Sequence, residues 1–224
     1  MSEMINGKIL HRIRSQLASL FSDIFFNYPK SVQFESLLYL LDRYYEHELD
    51  ANGLYARGLV EFEEWQAGVG NLTEAEQQLM MEKNYTGLFC LGRGVVTTAS
   101  AVLSSQRVHK REPWRKVRRF YYEHGLRLVE GSPLYEDSIV TEMAFYSLLI
   151  DQLDDFAGEK RREAFNAQQR FLQKHLLIWL PQFCEELHEV AGRGSVYSSI
   201  ASLLSGYIQA EPRLLDRFLQ VEMA

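Results

Sequence analysis

Three carboxylates stand close together along the chain, at Glu136, Asp137 and Glu142. Read as a helix, the segment 136–149 is apolar over most of its circumference, and a step of about 100° per residue places Glu142 inside that apolar arc. Removing a carboxylate from water is costly unless a partner compensates the charge. Two roles are therefore open for Glu142. It is either a buried residue bonded to a backbone N–H or an arginine of the fold, or an acceptor in an apolar groove that receives a cationic partner.

The surroundings of Glu142 on this helix are aromatic and apolar. Phe145 follows on the same row, Tyr146 lies on the next row, and Ser138 precedes Glu142 by one turn. A carboxylate among such side chains fits either role: a satisfied buried residue, or an acceptor for a cationic partner.

A second segment, HLLIWLPQF at 175–183, has the same mixed character. His175 and Trp179 are one helical turn apart, and Phe183 is one turn further along. A histidine beside a tryptophan is more often a packed residue than a ligand, and both roles stay open here. Pro181 should kink or break the helix, because its ring and its missing N–H oppose the regular hydrogen-bond pattern. The carbonyl groups that it frees are typical of a surface shaped for a partner.

Patterns that would indicate an enzyme or a metal centre are incomplete. Glu185 and His188 have the Glu-x-x-His spacing of a di-iron helical bundle, but such a site needs two of these pairs and further carboxylates. The LGRG segment at 91–94 lacks the Gly-Lys-Ser/Thr of a phosphate loop. The sequence therefore predicts a protein that is not an enzyme and that needs no metal and no cofactor.

The overall composition argues against nucleic acid as a partner. Acidic residues outnumber basic ones by 30 to 24, which does not suit a phosphate backbone. The basic run 109–119 is better interpreted as a surface helix than as an RNA site, because it has few interleaved aromatics. Cys90 and Cys184 indicate reduced thiols. We find no signal peptide and no apolar run of the roughly 18 residues that a membrane span requires, so the sequence predicts a cytoplasmic protein.

The elements that would position these residues are all helical, since helical periodicity runs from end to end without a convincing alternating strand. Apolar stripes predict helices over about 9–24 and 34–45. A capping box of Thr73 and Glu76 opens a third, which Gly87 and Gly92 should end. Further helices are expected at about 94–106, 113–129, 138–156, 160–179, 182–191 and 195–209, with a short one after Pro212. The predicted fold class is all-α: a single globular domain over 1–224, of about ten helices, with a possible hinge near 130–137.

Three motifs together resemble the TorD/DmsD/NarJ family of redox-enzyme maturation chaperones. Residues 136–146, EDSIVTEMAFY, are similar to the family signature Glu-x-Asp-His-Ile-x-x-Glu-Leu-x-Phe-Met. The HLLIWLPQF segment and the YTGLF turn at 85–89 resemble two further family features, in the family's order and spacing. Met143 and Tyr146 are mild substitutions, but one departure matters: Ser138 stands where the family usually has His, so the titration that an imidazole would supply there is absent.

The resemblance implies a cytoplasmic, system-specific chaperone that binds the twin-arginine leader, and possibly the mature part, of a molybdoenzyme precursor. Such chaperones assist cofactor insertion and delay export until the enzyme has folded. The paired arginines and apolar stretch of a leader call for carboxylates beside an apolar, aromatic groove. The residues expected at the peptide-binding site are Glu136, Asp137, Ser138, Glu142, Phe145, Tyr146, Leu88, Phe89, His175, Trp179 and Phe183.

Several alternatives stay open from the sequence. The client enzyme is not specified, a monomer and a homodimer are both compatible, and a helical adaptor or regulatory protein without leader specificity would share the fold. For the carboxylates, we expect Glu142 to be structural and Glu136 and Asp137 to carry recognition, because residues just before a helix can present side chains without joining the core. Replacing Asp137 by alanine would then cost binding and spare the fold.

Overall fold

Helices account for all the regular elements in residues 2–91 and 94–222, the part of the chain that the computed structural model describes. Their bounds are α1 Ser2–Phe26, α2 Ser31–Tyr45, α3 Leu54–Val69, α4 Glu74–Tyr85, α5 Ala99–Val102, α6 Glu112–Glu123, α7 Ile139–Asp151, α8 Gly158–Phe171, α9 Leu177–Ala191 and α10 Val196–Glu222. A π-helical turn follows α4 at Thr86–Cys90, and another follows α8 at Leu172–Leu176. The all-α prediction is confirmed.

The hydrophobic core is built around α1 and α10. The most extensive packing is between α1 and α7, and α10 packs against α3 and α9. Small polar residues let α1 and α7 approach closely: the hydroxyls of Ser15 and Ser147 are 3.0 Å apart, and the Ser22 hydroxyl donates to the Val140 carbonyl at 2.8 Å. The buried apolar side chains form one connected cluster that draws on both α1 and α10. The helices therefore share a single core.

Local sequence signals explain where two of the helices begin. Thr73 and Glu76 form the predicted capping box for α4: the Thr73 N–H donates to Glu76 Oε2 at 2.8 Å, and the Glu76 N–H donates to the Thr73 hydroxyl at 3.4 Å. Ser138 caps α7 by accepting from the Thr141 N–H at 3.2 Å. Gly87 lies inside the π turn after α4 instead of ending the helical path. Gly92, the other predicted end, lies outside the described residues.

Two internal prolines lie within continuous helices, contrary to the sequence prediction. The α9 helix runs through Pro181, and α10 runs through Pro212 instead of giving way to a separate short helix. Proline inside a helix costs about 3 kcal/mol or more. Each fully buried Leu or Phe side chain contributes about 1.5–3 kcal/mol, and continuing the helix keeps such residues buried, including Phe183 after the first proline and Leu214 after the second. Packing therefore overrides the local preference.

The segments on both sides of α6 are longer and less helical than predicted. The helix expected over 113–129 ends at Glu123, and the helix expected over 94–106 is reduced to α5. Gly125 and Gly131 adopt φ angles of 72° and 80°. This left-handed conformation is unfavourable for residues with a side chain, and it turns the chain here. Motion of the 130–137 segment as a hinge stays a prediction.

One helix, α3, is missing from the sequence prediction. Its buried residues Gly58, Phe62, Trp65 and Val69 recur at the helical spacing of three or four. Gly58 is required by close packing, since a Cβ atom there would lie 2.6 Å from the Leu203 side chain of α10. The helical periodicity of α3 is therefore present in the sequence, but charged residues interrupt it.

A fully buried ion pair joins α1 to α10. The Arg14 guanidinium donates to Glu211 from Nε at 3.0 Å and from Nη2 at 2.8 Å. Nη2 also donates to Gln168 at 3.0 Å and to the Tyr146 hydroxyl at 3.2 Å, while the hydroxyls of Tyr44 and Tyr146 donate to Glu211. Five helices therefore meet at one charge-compensated centre.

Candidate functional site

Glu142 is enclosed by the fold, and among the described residues Trp179 alone donates a hydrogen bond to its carboxyl group. It is only 1% exposed, and its Oε2 accepts from the Trp179 indole N–H at 3.1 Å. Burial raises the pKa of the Glu142 carboxyl group to about 8; the indole bond opposes this increase, and the nearby charge of Asp137 adds to it. The carboxyl group is therefore mostly protonated at neutral pH. Its partner is an indole, where the sequence suggested a backbone N–H or an arginine.

A small pocket reaches Glu142 from the surface. Its volume is about 160 Å³, and it lies between α5, the start of α6, α7 and the start of α9. The lining residues are Ala99, Leu103, Glu112, Pro113, Lys116, Glu142, Lys174, His175, Ile178 and Trp179. Leu103 and Ile178 are both substantially exposed. The pocket, which we call the Glu142 pocket, thus combines an accessible apolar edge with a buried polar group.

His175 forms one wall of the Glu142 pocket. Its ring packs against Phe120 and Phe171 at centroid distances of 5.3 and 5.2 Å. Burial, together with the positive charges of Lys116 and Lys174, lowers the pKa of His175 to about 4. The imidazole is therefore neutral at physiological pH and adds no charge to the pocket.

The π turns coincide with two of the motifs that the sequence singled out. Thr86–Cys90 carries Leu88 and Phe89, and Leu172–Leu176 carries His175. A π turn is wider than an α turn and is frequently found at functional sites. The second turn ends directly before α9, so it sets the rotation at which α9 presents its side chains to the pocket.

Asp137 is buried, and the expectation that it presents its carboxylate to a partner is wrong. It is 0% exposed, and its Oδ2 accepts from the Ser100 N–H at 2.8 Å while its main-chain carbonyl accepts from the Ala99 N–H at 2.8 Å. The first N–H groups of a helix lack partners within the helix. Asp137 supplies those partners for α5 from a distant part of the chain, so its carboxylate has a structural role.

Glu136 is the accessible carboxylate of the motif. Its side chain is 19% exposed; its Oε2 accepts from the Trp114 indole at 2.5 Å, and its Oε1 lies 3.6 Å from Arg118 Nε. It borders a separate cavity of about 880 Å³ between α6 and the 127–136 segment. Ser138, the next predicted residue, is buried and caps α7.

The remaining predicted residues lie in the core or, for Phe89, pack against it, and all of them lie outside the Glu142 pocket. Phe145 packs on Tyr121 at 4.3 Å between ring centroids, and Tyr146 joins the ion-pair centre. Phe89 and Phe183 both contact the Phe25 ring, and Leu88 is buried. The structure therefore brings together Glu142, His175 and Trp179 from the predicted set, and separates the others from them.

The pocket also contains residues that the sequence reasoning missed. Lys174 and Ile178 are exposed and lie one turn apart, each adjacent in sequence to a predicted residue. Their helical spacing beside His175 and Trp179 was the available signal. Leu103 and Lys116 had no such signal, because their approach to the pocket depends on the loops around α5.

The Glu-x-x-His pair does not form a metal centre. His188 Nε2 lies 2.7 Å from Glu61 Oε1 and 2.6 Å from the Arg57 guanidinium, so the histidine is held in a polar contact between α3 and α9. Within residues 2–91 and 94–222, no group of three or more His, Cys, Asp or Glu side chains is arranged to bind a metal ion. No helix in the same ranges has the length and hydrophobicity to cross a bilayer.

Comparison with known proteins identifies the family. The model for the nitrate reductase delta subunit matches residues 50–185, which is well over half of the chain. The protein therefore belongs to this family, the NarJ/TorD family, as the motifs predicted.

Individual relatives extend the likeness beyond the matched region. The chain is 24% identical over 223 residues to the chaperone protein TorD of Vibrio cholerae serotype O1 (classical Ogawa strain O395), covering 95% of this chain and 96% of the relative. It is 26% identical to TorD of Vibrio vulnificus strain CMCP6, covering 74% and 80%. It is 32% identical over 110 residues to the chlorate reductase assembly chaperone protein of Ideonella dechloratans, covering 48% and 57%. These names are those of chaperones and not of enzymes, in agreement with the sequence prediction.

Proposed function

We propose that this protein is a cytoplasmic, system-specific chaperone for a molybdopterin-containing redox enzyme. It binds the twin-arginine leader of the enzyme precursor, assists cofactor insertion and delays export until the enzyme has folded. Two relatives carry the names of a TorD chaperone and a chlorate reductase assembly chaperone, which supports a role in the maturation of such enzymes. The single observation that carries the proposal is the family match over residues 50–185, which spans the Glu142 pocket.

The chemistry of the Glu142 pocket suits a leader peptide. A leader offers paired arginines followed by an apolar stretch, so its receptor needs an apolar surface next to oxygen acceptors. Leu103 and Ile178 supply exposed apolar surface, while Glu142 supplies a carboxyl group below it. The apolar stretch would lie across Leu103 and Ile178, and an arginine would point into the pocket.

The test is isothermal titration calorimetry with synthetic leaders from the molybdoenzyme precursors of the source organism. We expect one leader to bind, and binding to weaken when its paired arginines are replaced by glutamine or its apolar stretch by serine. Equal affinity for the intact and the replaced peptides would favour a helical adaptor without leader specificity.

A matched pair of protein variants tests the location. Ile178 at the pocket and Val60 on α3 are 52% and 55% exposed, so replacing either by serine removes a similar exposed apolar group. We expect Ile178→Ser to weaken leader binding about fivefold, as the loss of roughly 1 kcal/mol of apolar burial would. Val60→Ser should bind as the wild type does. Equal effects of the two substitutions would place the leader elsewhere.

A further inference from the structure

The carboxyl group of Glu142 has unused bonding capacity inside a cavity. In its ionised form the Glu142 side chain would offer about four acceptor sites, and Trp179 is the one described residue that donates to it. The cavity that reaches it has a volume of about 160 Å³. A cavity of about 150 Å³ in another protein accommodates benzene, so this one has room for a planar guanidinium group.

We propose that the Glu142 pocket receives the guanidinium group of one arginine of the leader, and that this arginine enters with the release of a proton from Glu142 to the solvent. The proposal rests on the leader-binding function proposed above and specifies which group the pocket recognises. The arginine keeps its proton and its positive charge. The neutral carboxyl group becomes a carboxylate, which the guanidinium can bond with two parallel N–H groups.

The charges around Glu142 determine how strongly the pocket favours the incoming guanidinium group. The groups that face the carboxyl from the neighbouring elements are Glu112, Lys116 and Tyr121 on α6, Asp137 before α7, and Lys174 and His175 in the π turn. Lys116 is paired with Glu112 at 2.8 Å, and Tyr121 and His175 are neutral because burial disfavours their charged forms. The buried charge of Asp137 favours an incoming cation, and Lys174, which is exposed to solvent, opposes it.

Proton release follows from the change in surroundings. Burial holds the pKa of Glu142 near 8. A guanidinium at hydrogen-bond distance favours the ionised form, and so lowers that pKa. At pH 7 the expected release is about 0.9 proton per bound arginine, because a group with a pKa of 8 is about nine-tenths protonated there. Affinity should then rise with pH between 6 and 8, approaching tenfold per pH unit.

The experiment is calorimetry at pH 6, 7 and 8 in buffers of different ionisation enthalpy, which counts the protons released. The probe is an acetylated synthetic peptide of two arginines followed by a leucine–alanine stretch, with a lysine-for-arginine peptide as control. We expect release of close to one proton at pH 7 and weaker binding of the lysine peptide, whose ammonium group lacks the planar fork.

Two protein variants sharpen the result. Glu142→Gln retains an acceptor for the Trp179 indole, so the fold should persist. It should abolish proton release and weaken binding about 10- to 100-fold, the usual effect of losing a hydrogen bond to a charged group. Lys174→Gln removes the opposing charge at the surface and should strengthen binding about two- to fivefold.

The outcomes separate this inference from the proposed function. Binding of the probe without proton release, or affinity that falls as the pH rises from 6 to 8, overturns the arginine assignment and indicates an apolar side chain in the pocket. Leader binding would still stand in that case. If neither the probe nor any leader binds the wild-type protein, the proposed function and the arginine assignment both fail.

Discussion

The ion pair between Arg14 and Glu211 should be the least replaceable interaction of the fold. Both side chains are 0% exposed. Burial disfavours the Arg14 charge, but the Glu211 carboxylate more than compensates, and the pKa of the guanidinium is raised overall. Replacing Glu211 by glutamine preserves the size of the side chain and removes the compensating charge. Arg14 would then be a buried cation with only neutral partners.

The expected cost is about 3–5 kcal/mol of unfolding free energy, the usual result of breaking a buried pair by removing one partner. The upper half of that range is favoured here, because Tyr44 and Tyr146 also donate to Glu211 and would lose a charged acceptor. A protein of 150–250 residues loses about 2–4 °C of melting temperature per kcal/mol. At about 4–5 kcal/mol, Glu211→Gln should therefore lower the melting temperature by about 8–20 °C.

The assay is urea denaturation followed by far-UV circular dichroism, together with thermal melting. Glu64→Gln is the control, because it removes a carboxylate from an exposed pair with Arg193 and should leave the melting temperature almost unchanged. The double variant Arg14→Met/Glu211→Leu removes both charges and should be more stable than Glu211→Gln alone. If Glu211→Gln costs less than about 1 kcal/mol, or the double variant is the least stable, Arg14 is not the desolvated cation described above.

Three further predictions concern the motif before and within α7. Folding raises the pKa of Glu142 from 4.5 to about 8, so the contribution of this group to stability is lost as the pH rises from about 4.5 through 8. Glu142→Gln should remove that part of the pH dependence of the melting temperature. A pH profile of the melting temperature that is unchanged in the variant would contradict this prediction. Asp137→Ala should lower the free energy of unfolding, measured by urea denaturation, by about 1.5–3 kcal/mol, because the Ser100 N–H loses a charged acceptor. If this variant were as stable as the wild type, the expectation that Asp137 acts at the surface would stand again. Ser138→Ala should lower the free energy of unfolding by about 1 kcal/mol, because α7 loses its N-cap. Ser138→Asp should not lower it, because aspartate also caps helices.

The helical class and the enclosed position of Glu142 were predictable because both depend on local periodicity. The capping box of Thr73 and Glu76 was predictable for the same reason, since its bonds span three residues. The continuity of α9 and α10 through their prolines was not, because it depends on the burial of residues on both sides of each proline. Tertiary packing outweighs a local breaker there.

The misplacement of Asp137 has a similar origin. Its position before a helix suggested exposure, but its acceptor role is fixed by the Ser100 N–H, 37 residues earlier in the chain. No local pattern reveals such a contact. The pocket was predictable only in part for the same reason: His175 and Trp179 are local neighbours, whereas their approach to Glu142 joins helices that are far apart in sequence.

The pairing of Arg14 with Glu211 also constrains when the protein can finish folding during its own synthesis. The two residues are separated by 197 positions, and chains are made at about 5–20 residues per second, so Glu211 is added roughly 10–40 s after Arg14. Until then Arg14 has no carboxylate to accompany it into the interior, and α1 must keep its charged side in water. Because α1 is made before α10, it cannot be fully enclosed until α10 has been added, and a nascent chain that stalls before α10 would expose the apolar face of α1 to other proteins.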